Sequence, residues 1–287
     1  MCLDDDFDAM HAAQVSRRSL GKLGLGAGLF AALPRLAGAA EVTETEVTIK
    51  TPDGTCDAHF VYPKSGAHAA ILVWPDIFGL RPAFREMGKR QAEEGYAVLT
   101  VNPFYRLQKA PTSAPGANFQ DPDTRAKLTG MMGSLTPEGE ARDAQAFIAW
   151  LDAQKAVDTR KKVGTTGYCM GGPIVLRTAG AVPARVGAAA TFHGGGLTTK
   201  DATSPHLQIA KTKASYLICI ADNDDKNDPT SKDILKQTFA DAKLKAEVEV
   251  YTGAQHGWCA IDSQVYNKDL AEKAWARAQV LFKSALA

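Results

Sequence analysis

Polar and apolar residues alternate over residues 46–50 and again over 56–62, on either side of Thr51-Pro52-Asp53-Gly54. A period of two around a turn-forming centre predicts a half-solvated edge hairpin. Residues 69–74 are apolar throughout, which predicts a strand buried on both faces, and 96–101 reads as the next one. Further strands are expected at 162–168, 186–192, 215–220 and 246–251. Between them the apolar spacing lengthens to that of helices. Pro82 opens a helix that Gly95 closes, with Phe84, Met87 and Ala92 as its apolar stripe. Pro137-Glu138 opens a second that runs to Gln154, carrying Ala146, Phe147, Trp150 and Leu151 on one face. Others are expected at 172–179, 231–242 and 269–286.

Strand and helix alternate, and the middle strands are of the buried type. The fold class is therefore α/β, a doubly wound, mostly parallel sheet with helices on both faces. No internal repeat or second boundary is visible, so 40–287 reads as a single domain. Residues 107–137 are rich in Pro, Gly, Ser and Thr, with one short helix expected near 124–128. A connection this long is expected to form a lid or an active-site wall.

Charge changes the picture little. Net charge is +1 over 287 residues, which provides no field for nucleic acid or an anionic membrane surface. The five cysteines, Cys2, Cys56, Cys169, Cys219 and Cys259, match neither a zinc motif nor a small disulfide framework. No cofactor and no metal are expected. The acidic stretch 222–228 has the oxygen ligands of a calcium loop but not the glycine of its sharp turn.

The first 39 residues read as a targeting segment. Ser16-Arg17-Arg18-Ser19-Leu20 followed by Lys22 resembles a twin-arginine export signal. A Gly/Ala-rich apolar stretch at 23–33 and a small-residue cleavage pattern, Ala37-Gly38-Ala39, come after it. The apolar run is too short for a permanent membrane anchor, which takes about 20 residues. The expectation is export of a folded protein by the twin-arginine machinery and residence in the periplasm.

The chemistry centres on Gly167-Tyr168-Cys169-Met170-Gly171. A strand running into Gly-x-Cys-x-Gly and then a helix is the layout of a nucleophile elbow, with Cys where Ser is usual. The helix N-terminus behind the thiol favours its thiolate. A nucleophile needs a base and a group to orient that base. Asp76, Arg106, His193, Asp224 and His256 all follow expected strands, and hence lie at one end of the sheet. The order nucleophile, acid, histidine is that of α/β-hydrolases, and Cys169, an Asp among 222–225 and His256 satisfy it. The residues alone leave Asp222, Asp224 and Asp225 open as the acid. An oxyanion hole takes backbone N–H groups, here those of Met170 and Ile77. His193 reads as a pocket or supporting residue, and Phe104 and Trp258 as an apolar wall or as packing.

Four stretches together resemble the dienelactone hydrolases (carboxymethylenebutenolidases): Gly-Tyr-Cys-Met-Gly-Gly, Asp-Ile-Phe-Gly-Leu-Arg at 76–81, Ala-x-Asn-Asp at 221–224 and Gln-His-Gly-Trp at 255–258. The resemblance runs from about Thr48 to the C-terminus. It implies an α/β-hydrolase fold, a Cys169–Asp224–His256 triad and cofactor-free opening of an enol lactone. Arg106 matches the first of two arginines that hold the substrate carboxylate in such enzymes. Ala260 stands where the second would be, and Arg81 reads as a solvated residue at a helix start. Asp76 stands where the family carries a Glu that holds or activates the thiol. Two other readings remain beside this one: a broad carboxylesterase or thioesterase, and a non-catalytic ligand-binding protein on the same fold. A redox role for Cys169 would need Cys219 or Cys259 to approach it.

Overall fold

The computed structural model describes residues 38–287, so the export signal expected in the first 39 residues lies outside the described residues but for its last two. In chain order the elements are β1 (Val42–Thr51), β2 (Gly54–Pro63), β3 (Ala70–Trp74), α1 (Pro82–Glu93), β4 (Ala97–Val101), α2 (Pro122–Met132), α3 (Pro137–Asp152), β5 (Val163–Tyr168), α4 (Gly171–Ala181), β6 (Val186–Phe192), β7 (Ser215–Ala221), α5 (Asp222–Asn227), α6 (Ser231–Asp241), β8 (Ala246–Tyr251) and α7 (Lys268–Ala285). A 3-10 turn at Pro205–Lys211 lies between β6 and β7.

The eight strands form one sheet in the order β1-β2-β4-β3-β5-β6-β7-β8. β1 and β2 pair antiparallel through the expected turn, and β2 pairs antiparallel with β4. From β4 through β8 every pairing is parallel. The sheet therefore has half-solvated β1 at one edge and buried parallel strands in the middle, while β2, expected to share the wet face, is largely buried between β1 and β4.

Period-two alternation splits the middle strands between two cores. Leu72 and Trp74 join Phe147, Leu151, Ile174, Val175, Leu235 and Phe239 on the face covered by α3, α4 and α6. Ile71 and Val73 join Phe84, Met87, Ala274 and Phe282 on the face covered by α1 and α7. The chain leaves β3 for β4 on one side and returns to β5 on the other. That reversal opens a crevice at the carboxyl ends of β3 and β5, where open α/β sheets bind their ligands.

Two local expectations need correction. The short helix near 124–128 is the longer α2, whose first turn is capped by Asp121 accepting from the Thr124 N–H. Within residues 222–228, read as a polar loop, Asp222–Asn227 form α5, a short helix that follows β7 directly. Three acidic residues in its first turn complement the positive end of the helix.

Candidate active site

The site lies at the crevice and its centre is the turn between β5 and α4. Cys169 takes φ 51°, in the left-handed region, a strained value for a residue with a side chain. The turn is tight enough that its two flanking glycines are obligatory. A Cβ on Gly167 would overlap the Gly171 carbonyl and come within 2.8 Å of Val175. A Cβ on Gly171 would overlap the Trp74 carbonyl oxygen and come within 2.8 Å of that of Pro75. The thiol stays half-buried, whereas Cys56, Cys219 and Cys259 are buried. All four are free thiols, and the Cys219 S–H points at the Tyr251 hydroxyl, 3.6 Å away.

His256 follows β8 and is brought beside Cys169. Its Nδ1 lies 2.8 Å from Asp224 Oδ2 and 3.0 Å from Oδ1. Burial opposes a charge on this imidazole. The neighbouring Cys169 and the Asp224 hydrogen bond outweigh it and hold the pKa well above the ordinary histidine value. The three aspartates left open by the sequence are separated by α5. Asp222 takes Lys226 at 2.9 Å and Asp225 takes Lys232 at 2.7 Å, so of the three only Asp224 meets the histidine. Asn223, which sequence reasoning passed over, accepts the His256 backbone N–H at 2.8 Å. Its signal is the Ala-x-Asn-Asp run itself: an Asx pair at a helix start offers two acceptors to a passing loop.

Ile77 and Met170 belong to one buried apolar cluster against which Cys169 packs. They are buried together with Phe104, Leu128 and Met131, and Cys169, Phe78, Phe119 and Leu135 pack against this cluster. Neither the Ile77 nor the Met170 N–H has an acceptor among the described residues. Within the 107–137 segment, α2 thus places Leu128 and Met131 in this apolar cluster. The segment is tied down by Thr112 and Ser113, whose hydroxyls both donate to the Phe78 carbonyl at 3.1 Å.

His193, at the end of β6, also has a left-handed backbone, φ 42°. It is fully buried, and its ring lies edge-to-face on His256 with centroids 5.0 Å apart, and on Trp258 at 5.2 Å. Burial, then the charge on His256, hold its pKa well below the ordinary value, so it is neutral. Neither of its ring nitrogens has a hydrogen-bond partner among the described residues.

Four expectations are corrected by the geometry. Arg106 does not face the thiol. Its guanidinium takes both oxygens of Asp143 at 2.8 Å and Asp53 at 2.6 Å, tying the edge hairpin to α3. Trp258 is fully buried, stacked on Tyr251 beneath the histidines, so it is floor rather than substrate-contacting wall. Asp76 accepts from the Phe78 N–H at 2.9 Å and from two nitrogens of Arg81, at 2.6 and 2.9 Å. Its carboxylate is turned to Arg81 rather than hydrogen-bonded to Cys169. Arg81 is correspondingly not solvated, its side chain being 11% exposed.

A strand–elbow–helix nucleophile position beside a carboxylate-held histidine, on a mostly parallel sheet, defines a hydrolase of the α/β class. The comparisons narrow this. The Dienelactone hydrolase family model matches residues 56–286, and the chain belongs to that family. A carboxymethylenebutenolidase of Rhodococcus opacus is 28% identical over 214 residues, 74% of this chain and 79% of its own. Among solved structures, a dienelactone hydrolase-like promiscuous phosphotriesterase from metagenomic libraries superposes with a TM-score of 0.70 at 24% identity, covering 87% of this chain and 100% of its own. A dienelactone hydrolase of Anabaena variabilis superposes with a TM-score of 0.56 at 17% identity, covering 86% and 99%. At these identities the two structures show the shared fold.

Proposed function

We propose that the protein is a cysteine hydrolase that opens enol lactones or cleaves related carboxylic esters through an acyl-enzyme. The observation that carries this reading is His256, held at 2.8 Å by Asp224 and set beside a strained, half-buried Cys169. The imidazole takes the thiol proton, and Asp224 keeps the tautomer and the charge that result. The thiolate attacks the carbonyl carbon, and the oxyanion is held by the N–H groups of Ile77 and Met170. The C–O bond then breaks. The leaving enolate or alkoxide takes the proton from His256, leaving a thioester on Cys169. His256 next deprotonates a water that attacks the thioester, the acid departs and the thiol is restored. No step calls for a cofactor or metal.

The apolar wall and the paired Arg106 favour an uncharged acyl group over a carboxylate-bearing one, since an anion would find its expected partner already bound to Asp143 and Asp53. That supports the broader esterase reading beside the lactone one. The test compares initial rates on an enol-lactone series, neutral phenyl esters and phenyl esters with a free carboxylate, wild type beside Cys169→Ala. Turnover of neutral substrates that vanishes in the variant is expected. Turnover that survives Cys169→Ala would overturn the mechanism, and faster turnover of the anionic esters would overturn the substrate class. Export by the twin-arginine route is proposed from the sequence, and N-terminal sequencing of the protein from a bacterial host tests it: cleavage near Ala40 is expected, and an N-terminus at Met1 refutes it.

A further inference from the structure

Arg81 is joined to the rest of the molecule by all five of its guanidinium N–H groups. Nε donates to Asp262 Oδ2 at 2.6 Å and Nη2 to Asp262 Oδ1 at 2.8 Å. The second Nη2 proton goes to Asp76 Oδ2 at 2.9 Å, and Nη1 donates to Asp76 Oδ1 at 2.6 Å and to the Gly79 carbonyl at 3.3 Å. The rings of Phe78 and Phe84 flank the guanidinium, with centroids 5.3 and 4.8 Å from Cζ. Five is the whole donor capacity of an arginine, so none remains for a substrate. A lysine has three donors around a point charge and reproduces neither fork.

The two carboxylates belong to different parts of the site. Asp76 opens the loop after β3. Its side chain takes the Phe78 N–H and its carbonyl takes the Gly79 N–H at 2.9 Å, so it shapes the two peptides that follow Ile77. Asp262 lies in the loop that runs from His256 to α7. That loop is held at its other end by Asn223 through the His256 N–H. We infer that Arg81 is a positioning residue, a clamp that fixes the Ile77 loop against the His256 loop and so sets the oxyanion donor and the base relative to one another. The pairing spans 181 positions of sequence and joins two loops at the rim of the sheet. A rim loop without such a tie is free to shift, and a displacement of about 1 Å in a reacting group costs on the order of 100-fold in rate.

The inference rests on the proposed roles of Cys169, His256 and Ile77, and its test keeps the two separable. Arg81→Lys, Arg81→Met and Asp262→Asn are compared with wild type for kcat and KM on a neutral phenyl ester. Alkylation of Cys169 by iodoacetamide is followed across pH in the same proteins, and thermal unfolding alongside. Both Arg81 variants are expected to lose about 100-fold in kcat with KM little changed, because the clamp acts on the donor and base rather than on binding. Asp262→Asn keeps the buried Asp76 pair and is expected to lose about five- to tenfold. In all three the alkylation profile is expected to depart from that of wild type, since a displaced His256 no longer meets the thiol in the same geometry. Recovery of wild-type kcat by Arg81→Lys would overturn the inference, showing that charge alone suffices. So would an Asp262→Asn protein with a lowered unfolding temperature but unchanged kcat and alkylation profile, the behaviour of a merely structural tie. If the Arg81 variants do not fold, Asp262→Asn decides. If wild type turns over no ester, the hydrolase reading fails while the alkylation profile, which needs no substrate, still judges the clamp.

Discussion

Asp224→Asn removes a charge while leaving the side chain's size almost unchanged, and the geometry sets what it should cost. The carboxylate reaches His256 Nδ1 at 2.8 Å. A hydrogen bond between charged partners contributes about 1.5–3 kcal/mol. The two side chains are 34% and 23% exposed, so water screens part of this and the lower figure applies. About 1.5 kcal/mol is roughly tenfold in the population of imidazolium. A second loss adds to it, because an amide can present its NH2 group to Nδ1 and so favour the tautomer that carries the proton on the wrong nitrogen for a base. Together these should lower kcat/KM on the order of 100-fold, within the range of general acid–base contributions. The alkaline limb of the pH profile should also move to lower pH, because Asp224 helps keep His256 protonated. Initial rates on a neutral phenyl ester across pH 5 to 10 measure both effects, and the structure supplies the controls. Asp222 is bound to Lys226 and Asp225 to Lys232, so their Asn variants should keep wild-type rates. A negligible loss in Asp224→Asn, or an equal loss in Asp225→Asn, would refute the assignment of the acid.

Gly171→Ala forces a Cβ against the Trp74 and Pro75 carbonyls, and backbone cannot give way as a side chain would. Denaturant unfolding should show a loss of at least about 1–3 kcal/mol, with activity falling as well, while Gly195→Ala, where a Cβ meets nothing within 4 Å, should be neutral in stability. Arg106→Ala leaves the buried Asp143 carboxylate without its cation; about 2–4 kcal/mol of stability should go, discounted for the 21% exposure of Arg106, while KM for neutral esters in the surviving folded fraction stays put. His193 is held neutral in the fold, so its folded pKa lies below the unfolded value near 6.5. As pH falls the unfolded chain takes this proton first, and the stability it contributes above about pH 6.5 is lost progressively below it. His193→Phe should lose less stability than wild type between pH 7.5 and pH 5 in urea unfolding, and parallel curves for the two proteins would contradict the buried neutral state.

The placing of strands at the edge or in the middle of the sheet follows from features readable in one dimension. The alternating hairpin goes to the edge because only an edge strand pair can afford a wet face. The continuous apolar runs go to the middle because both their faces are covered. Elements fixed by local chemistry were equally legible, such as α1 from Pro82 and α3 from Pro137-Glu138. α2 and α5 were underread for one physical reason. Their apolar periodicity is weak: α2 buries only Leu128 and Met131 against the site, and α5 has no buried residue at all. Capping and first-turn acids start such helices, and those residues read equally well as loop.

The site divides along the same line. Cys169 and His256 were legible because each sits in a short motif whose backbone demands are local: two glycines without room for a Cβ, and a loop directly after a strand. From the residues alone Asp224 was legible as one of three, and the family resemblance pointed to it; α5 separates the three, its turn sending Asp222 and Asp225 to lysines four and seven residues further on. Arg81 and Arg106 could not be assigned from sequence. An arginine's role depends on which carboxylates reach it, and Asp262, Asp143 and Asp53 come from elsewhere in the chain. The two arginines look alike as loop residues after buried strands, yet both are consumed by long-range ion pairs. What is left facing the thiol is apolar surface from α2 and the Ile77 loop. The same tertiary contacts that hid these residues from sequence reading therefore underlie the proposed preference for uncharged substrates, by withdrawing cations that a carboxylate-bearing substrate would need.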